Sequence, residues 1–385
     1  MTMMRSRWMT EELVILADQA ARFLQAELVP ERESWERDRC VSRAAWRKAG
    51  AAGLLCASIP EEYGGGGGSW AHEAVISCEI SRAGLGAGFG LGVSVSCSIV
   101  AHYILSYGSE AQKARWLPAL ATGEIIGAIA MTEPGAGSDL KAIRTQARPC
   151  EGGYRITGQK TFITNGQTAD LILVVAKTDM AAGAKGMSLL AVEAANAEGF
   201  VRGRNLDKLG LHAQDTSELF FEDVFVPEEN LLGGEPGRAF AQLMEQLIWE
   251  RLTVTLNAAT DMERAIEMTA AYARERSAFG QRLIDFQNTQ FKLAECKASA
   301  VVARALFDDM LQRFLEGTLD AATAASAKYW ASEALGKVAD ECLQLFGGYG
   351  YMTEYPIARL WADARASRIY AGASDIMKTI IARTL

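Results

Sequence analysis

Histidine is nearly absent from this chain. Three occur in 385 residues, His72, His102 and His212, and none stands at H-E-x-x-H or comparable spacing, so no histidine-based metal centre is expected and no residue is assigned to a metal. Cysteine is present but unpatterned. Cys40, Cys56, Cys78, Cys97, Cys150, Cys296 and Cys342 make an odd total with no C-x-x-C pair, which predicts reduced, buried thiols and a cytoplasmic location rather than a disulfide framework. Positive charge is in deficit: 39 Lys plus Arg stand against 47 Asp plus Glu, for a formal net charge of −8. That balance excludes the basic stripe that a nucleic-acid binder needs. Strict G-x-G-x-x-G and Walker A sequences are both missing, which disfavours a doubly wound dinucleotide-binding sheet and a P-loop enzyme. Residues 1–9 lack the apolar run of an export signal. Residues 83–101 carry no charge but hold five glycines, which predicts a buried helix entered through a glycine-rich loop and no membrane span.

What the chain does have is length and apolar mass. At 49% hydrophobic residues it can fill two or three packed domains. Over 11–29, Leu13, Leu16, Ala17, Ala20 and Leu24 recur at helical spacing, with Thr10 as N-cap and Pro30 as a stop. Further helices are predicted over 43–55, 70–82, 94–107 and 110–122, with a loop at Gly64 to Gly68. After about Gly123 the texture changes to short β-branched or aromatic runs, at 154–156, 161–163, 171–176, 187–192 and 219–226, separated by Gly, Asn or Asp turns. Long helical patterns resume from Gly237. The order predicts an α+β protein of three parts: a helical domain over 1–124, a β-barrel or sandwich domain over 125–233 and a helical bundle over 234–385.

Four places carry candidate chemistry. In TEPGAGSD (132–139), glycines let the backbone approach a ligand closely, and Thr132 and Ser138 add short hydroxyls; a tight connecting loop is the alternative. Glu250 shares one helical stripe with Leu243, Leu247, Val254 and Ala258, which puts a carboxylate on an apolar face. There it must be paired, protonated or open to a cavity, and a purely structural Glu satisfied by Arg251 is the alternative. Arg274, Arg276 and Arg282 crowd one helix end around YARERSAFG (272–280), suited either to a diphosphate or to a solvated basic face. The fourth place is QLFGGYGY (344–351) with the later run Ile369 to Ala373.

Taken together, these stretches resemble the acyl-CoA dehydrogenase family over essentially the whole chain, and in texture its long-chain branch. The matching runs are AMTEPGAGSDL (130–140), GQKTFITNG (158–166), KLGLHAQDTSELFFEDVFVP (208–227), YARERSAFGQRLIDFQ (272–287) and QLFGGYGYMTEYPIARLWADAR (344–365). The resemblance implies N-terminal helices, a middle β domain and a C-terminal four-helix bundle, assembled as a homotetramer or homodimer. It implies FAD between the β domain and the bundle, an acyl-CoA substrate and an electron-transferring flavoprotein as acceptor. It places Ile129, Met131, Thr132, Gly137, Ser138, Phe162, Ile163 and Thr164 at the flavin, with Thr164 near N5. Arg276, Phe279, Gln287, Gln344, Gly347 and Gly348 fall to the cofactor as well, on the side of a neighbouring subunit. Ser138, Arg251, Tyr370, Ala371 and Gly372 fall to the substrate. The family chemistry is α,β-dehydrogenation to the trans-2-enoyl-CoA: a carboxylate removes the α proton and the β hydrogen leaves as hydride to flavin N5. The thioester carbonyl must be polarised by fixed donors, implied to be a flavin ribityl hydroxyl and the backbone N–H of residue 371.

The chain departs from the commonest pattern at Tyr370-Ala371-Gly372-Ala373, where most members carry Tyr-Glu-Gly-Thr with the Glu as base. Ala371 cannot act as one. A minority, resembling the long-chain and isovaleryl enzymes, places the base on the helix that carries Glu250-Arg251, so periodicity and resemblance converge on Glu250. Ala373 in place of Thr removes one cofactor hydrogen bond, worth about 1 kcal/mol, and Phe162 keeps an aromatic face where Trp is frequent. Gly88, Gly90, Leu91, Gly92 and Val95 are expected at the far end of the acyl pocket, whose small side chains would admit a medium to long or branched acyl group. Alternatives are a carrier-protein thioester dehydrogenase, a flavin oxidase or monooxygenase of the same fold, and an FAD-free interaction protein.

Overall fold

The structure, a computed structural model, describes Ser6 and residues 8–385; most of the segment read for an export signal lies outside the described residues. The N-terminal part is helical, with α1 (Glu11–Phe23), α2 (Arg32–Asp38), α3 (Arg43–Ala51), α4 (Trp70–Arg82), α5 (Leu91–Val93), α6 (Ala101–Tyr107) and α7 (Glu110–Ala121). Thr10 caps α1 as expected, accepting from the Leu13 N–H, and Ser69 and Ser109 close capping boxes with His72 and Gln112. Pro30 is not a stop. The chain widens through a π turn (Leu24–Leu28) and then tightens into a 3-10 turn (Val29–Glu31) that has Pro30 near its start, where a missing N–H costs no hydrogen bond, and it runs directly on into α2. Helix α3 ends before residue 55 because Gly53 turns left-handed at φ +70°.

The glycine-rich stretch is helix rather than a loop leading into one. A continuous helical path, Gly86–Tyr107, consists of α5 and α6 joined by π-helical turns at Gly86–Gly90 and Ser94–Val100. Its most apolar window is 78% buried inside the protein, which makes it a core helix. The glycines are there for close packing. A Cβ on Gly88 would lie 2.6 Å from the Cβ of Ala213, on Gly90 2.9 Å from Ile80, and on Gly92 2.9 Å from Asn165 Oδ1. A side chain at any of the three would press on packed protein, while Gly88 also lines a cavity with Phe89 and Ala213; Leu91 and Val95 flank them on the same path.

The middle part is a mixed seven-stranded sheet, ordered β1 (Gly127–Ala130), β4 (Leu171–Lys177), β2 (Gln146–Cys150), β3 (Gly153–Thr164), β7 (Thr216–Pro227) and β6 (Phe200–Asn205), with β5 (Met187–Glu193) branching from β4. β1 and β2 run parallel to β4 and the other pairs are antiparallel. The two short runs expected at 154–156 and 161–163 are one strand, β3, kept continuous through two register shifts against β7. Strand β4 is buried on both faces: Leu171, Leu173 and Val175 join the core beneath the N-terminal helices, while Ile172, Val174 and Ala176 face the core within the β domain. That explains its unbroken apolar run.

The C-terminal part has three long helices, α8 (Ala239–Glu275), α9 (Gln287–Leu315) and α10 (Ala321–Leu345), and two short ones, α11 (Pro356–Ala366) and α12 (Ser374–Ala382). A small hairpin, β8 (Ser277–Ala278) with β9 (Gln281–Arg282), joins α8 to α9. The bundle core runs along Ala258, Met262, Ala265, Ala303, Leu335 and Cys342. All seven cysteines are free; Cys150 is exposed and Cys40 partly so, which corrects the expectation that every thiol is buried.

Candidate active site

Glu250 sits in the first third of α8 with Leu243, Leu247, Val254 and Ala258 buried on its stripe, as their 3.6-residue spacing requires. Its Oε1 is buried and has no hydrogen-bond partner. Burial pushes the carboxyl up to about 7, partly offset by the neighbouring Arg251 guanidinium. Arg251 is itself 5% exposed, with Nε lacking a partner, and burial lowers its affinity for the proton while Glu250 restores some of it. The structural alternative, a Glu satisfied by Arg251, is not what is seen. An acid whose proton comes off near neutrality and whose oxygen has nothing to bind can exchange a proton with a substrate.

On the bundle side, the segment between α11 and α12 holds Tyr370, Ala371 and Gly372. Ala371 takes φ +52° and Gly372 φ +94°, so the turn leaves ordinary strand or helix geometry at both residues. Among the described residues the Ala371 N–H has no acceptor, which suits it to donate to a ligand. Ala373 stands at the N-cap of α12 and makes no side-chain capping bond, the local consequence of its missing hydroxyl. Burial raises the Tyr370 phenol, and Asp261 and Asp363 add to the effect.

The β-domain side is built on a buried ion pair that sequence reasoning missed. Lys160 Nζ, enclosed on β3, donates to Glu133 Oε1 at 2.8 Å and to the Met131 carbonyl at 3.0 Å. Glu133 also accepts the N–H groups of Arg144 and Thr145, at 2.6 and 3.0 Å. Burial alone would raise the Glu133 carboxyl, but Lys160 and these bonds hold it below the usual carboxylate range; burial pulls Lys160 down to about 8. With the Thr161 N–H donating to the Thr132 carbonyl at 2.9 Å, the pair ties Met131, Thr132 and Glu133 to β3. The signal was there: Tyr154, Ile156 and Lys160 share one parity of a strand, so a lysine occupies a core-facing position.

Of the residues expected at the flavin, Ile129, Met131, Thr132 and Thr164 are partly exposed and gather around the ends of β1 and β3, with Gly137 and Ser138 exposed on the loop between β1 and β2. Phe162 is 67% exposed on a backbone held at φ +59°. An open aromatic face kept in a strained conformation beside a glycine loop fits a planar ring system. The side chain of Ile163 is 3% exposed in the β core, because the register shift between Lys160 and Ile163, at the positive φ of Phe162, reverses the alternation of β3 there, so only its backbone is left to face a ligand. Arg276, Gln344, Gly347 and Gly348 come together around one groove of about 570 Å³, with Arg276 over the Tyr349 ring at 5.7 Å. Gly347 has φ +59° and open space where a Cβ would stand, so backbone can approach a ligand there. Phe279, 98% exposed, and Gln287, at the start of α9, are not among the residues that line this groove.

A helical part, a β sheet and a helical bundle in this order are what the resemblance implies for a flavin-dependent acyl thioester oxidoreductase, and comparison with known proteins agrees. Family models described as the N-terminal, middle and C-terminal domains of acyl-CoA dehydrogenase match residues 10–124, 128–224 and 237–385. The chain is 44% identical over 388 residues to the mitochondrial long-chain specific acyl-CoA dehydrogenase of Rattus norvegicus, covering 98% of this chain and 87% of the relative. The crystal structure of an acyl-CoA dehydrogenase from Geobacillus kaustophilus superposes with a TM-score of 0.94 at 45% identity, covering 98% of this chain and 99% of that one. A glutaryl-CoA dehydrogenase from Mycobacterium smegmatis, solved in complex with FADH2, gives a TM-score of 0.91 at 28% identity, covering 99% and 96%. The chain belongs to the acyl-CoA dehydrogenase family, and its cofactor is FAD.

Proposed function

We propose that this enzyme removes the α and β hydrogens of a medium to long or branched acyl-CoA to give the trans-2-enoyl-CoA, with Glu250 as the base. The observation that carries the reading is the buried, unpartnered Oε1 of Glu250 beside a cation that has no bond to it. Glu250 accepts the α proton at that oxygen. The Ala371 N–H donates to the thioester carbonyl as negative charge develops there, and Tyr370 and Gly372 wall the acyl group. Bound FAD supplies the hydride acceptor, at N5 by family resemblance. Ile129, Met131, Thr132, Phe162 and Thr164 would hold its ring. Arg276, Gln344, Gly347 and Gly348 would hold the FAD of a neighbouring subunit in a homotetramer or homodimer.

An acyl group of that size rests on the likeness to a long-chain specific relative, since Gly88, Gly90 and Gly92 are occupied with packing. An electron-transferring flavoprotein is the acceptor that the resemblance implies. The test is anaerobic bleaching of the flavin by a panel of acyl-CoA and acyl-carrier thioesters of increasing length. Bleaching by medium to long acyl-CoA, with slow reoxidation by oxygen, is expected. Bleaching by none of them, or only by carrier-bound thioesters, overturns the reading, and rapid oxygen consumption would make the protein an oxidase.

A further inference from the structure

Lys328 lies on α10 and is completely buried, at 0% exposure. It falls on the stripe Ala324, Lys328, Ala331, Leu335, Val338, all buried, so helical periodicity turns it inward as it does Glu250. Its Nζ donates at 2.7 Å to the carbonyl of Gly372, the second residue of the left-handed turn. The charged groups that act on it are Arg251, of like sign, and Glu333. Burial pulls the ammonium down to about 8, and Arg251 pulls the same way against Glu333.

Two buried cations that act on each other are costly to a fold, because each loses several kcal/mol of hydration and they repel each other. A neutral donor would serve a backbone carbonyl as well. The arrangement makes sense where a negative charge is to appear. The same helix grips the turn at two further points: Glu333 accepts from Ser374 Oγ at 2.8 Å and lies 3.5 Å from Arg368 Nε, and Gly336 is bare where the Arg368 guanidinium crosses, since a Cβ would come within 1.8 Å of it. Helix α10 is thus the bed on which the Tyr370–Gly372 turn is set.

Resting on the reading that the Ala371 N–H binds the thioester carbonyl, we propose that Lys328 is a positioning residue for that donor, holding the turn through the Gly372 carbonyl and, with Arg251, keeping the site cationic where the enolate charge develops. Without the Gly372 anchor, Ala371 can relax from φ +52° toward an ordinary conformation and its N–H swings away from the carbonyl.

The experiment uses the FAD-loaded enzyme after chemical reduction, so that hydride cannot leave the substrate, and measures deuterium uptake at the α carbon of bound acyl-CoA in D2O by mass spectrometry, per bound flavin. In Lys328→Met, α exchange slows by at least about tenfold and kcat of the oxidised enzyme falls in parallel, while KM stays within about threefold. Lys328→Arg, which restores a cationic donor, recovers most of the loss. Unchanged α exchange in Lys328→Met overturns the proposal, and so does a lower melting temperature with unchanged exchange. If Lys328→Met does not fold with FAD, Lys328→Gln, which keeps a donor without charge, is read by the same criteria. Glu250→Gln run in parallel separates the two ideas: exchange at the normal rate there overturns the site reading itself, whereas lost exchange there with normal exchange in the Lys328 variants overturns only the role of Lys328.

Discussion

Glu250 and Arg251 are chain neighbours of opposite charge that do not pair: Glu250 Oε1 and Arg251 Nε are each buried without a hydrogen-bond partner. The carboxylate therefore stays available to take a proton. Replacing it by Gln keeps its shape and removes its basicity. Glu250→Gln should retain FAD and bind acyl-CoA, while flavin reduction slows by about 10²–10⁴-fold. Stopped-flow bleaching under anaerobic conditions measures this, and near-normal reduction would rule Glu250 out as the base.

The same burial sets a pH dependence. Glu250 must be ionised to accept a proton, and its carboxyl is pushed up to about 7, so kcat should climb as pH rises through about 7 and level off above it. Stability runs the other way. The folded state holds this proton more tightly than the unfolded chain, so the contribution is fully present below the unfolded value and is lost as pH rises through about 7. Melting curves of wild type and Glu250→Gln should accordingly separate as pH rises from about 4.5 to about 7 and stay apart above it, with the Gln variant the more stable. Parallel curves from pH 5 to 8.5 would contradict the raised value.

Lys160→Met should uncouple the flavin loop from β3. It leaves Glu133 buried with only its backbone donors, a loss of about 3 kcal/mol, and it frees the Met131 carbonyl. A melting temperature lower by several degrees is expected, together with a lower flavin-to-protein absorbance ratio after gel filtration. Full flavin retention at the lower melting temperature would confine the pair to a structural role.

Gly92→Ala should destabilise the fold by about 1–3 kcal/mol without shortening the preferred acyl chain, because its Cβ would press on Asn165 Oδ1, Gln214 and Trp46 rather than on a tunnel. Denaturant melts and an acyl-CoA length series check both halves. A shift to shorter substrates with unchanged stability would return this glycine to the pocket wall.

Arg276→Ala changes an exposed side chain, so the melting temperature of the apoprotein should hardly move. FAD affinity should fall at least about tenfold if the guanidinium holds a diphosphate. Fluorescence titration of apoprotein with FAD decides, and unaltered affinity would leave the basic cluster as a solvated face.

Much of this was legible in the chain because burial has a period. Glu250 stood out among Leu243, Leu247 and Val254 since one polar residue interrupts an apolar stripe. Lys328 and Lys160 interrupt theirs in the same way, and the rule applied to carboxylates would have found both had it been applied to lysines. The order of helices and strands followed from their different periods and from turn residues. Other features depend on contacts between distant segments, which no local pattern encodes. Pro30 reads as a stop until the 3-10 turn gives it a place that needs no N–H. Glycines at 88, 90 and 92 read as loop or pocket until Ala213, Ile80 and Asn165 are found against them. Ile163 sits in a motif that resembles a flavin site, but the bulge at Phe162 turns its side chain into the β core.

Strand β4 shows a different consequence. Its odd-numbered residues, with Met187, Leu189 and Ala191 from β5, complete the core that the N-terminal helices begin, and Leu243 of α8 reaches the same core. The three family segments are therefore not three separable folding units. A fragment ending near residue 124 would present that apolar face to water with nothing to cover it, and the middle segment alone would expose the other side of the same contact. Heat or denaturant should melt the helical and β parts in a single transition.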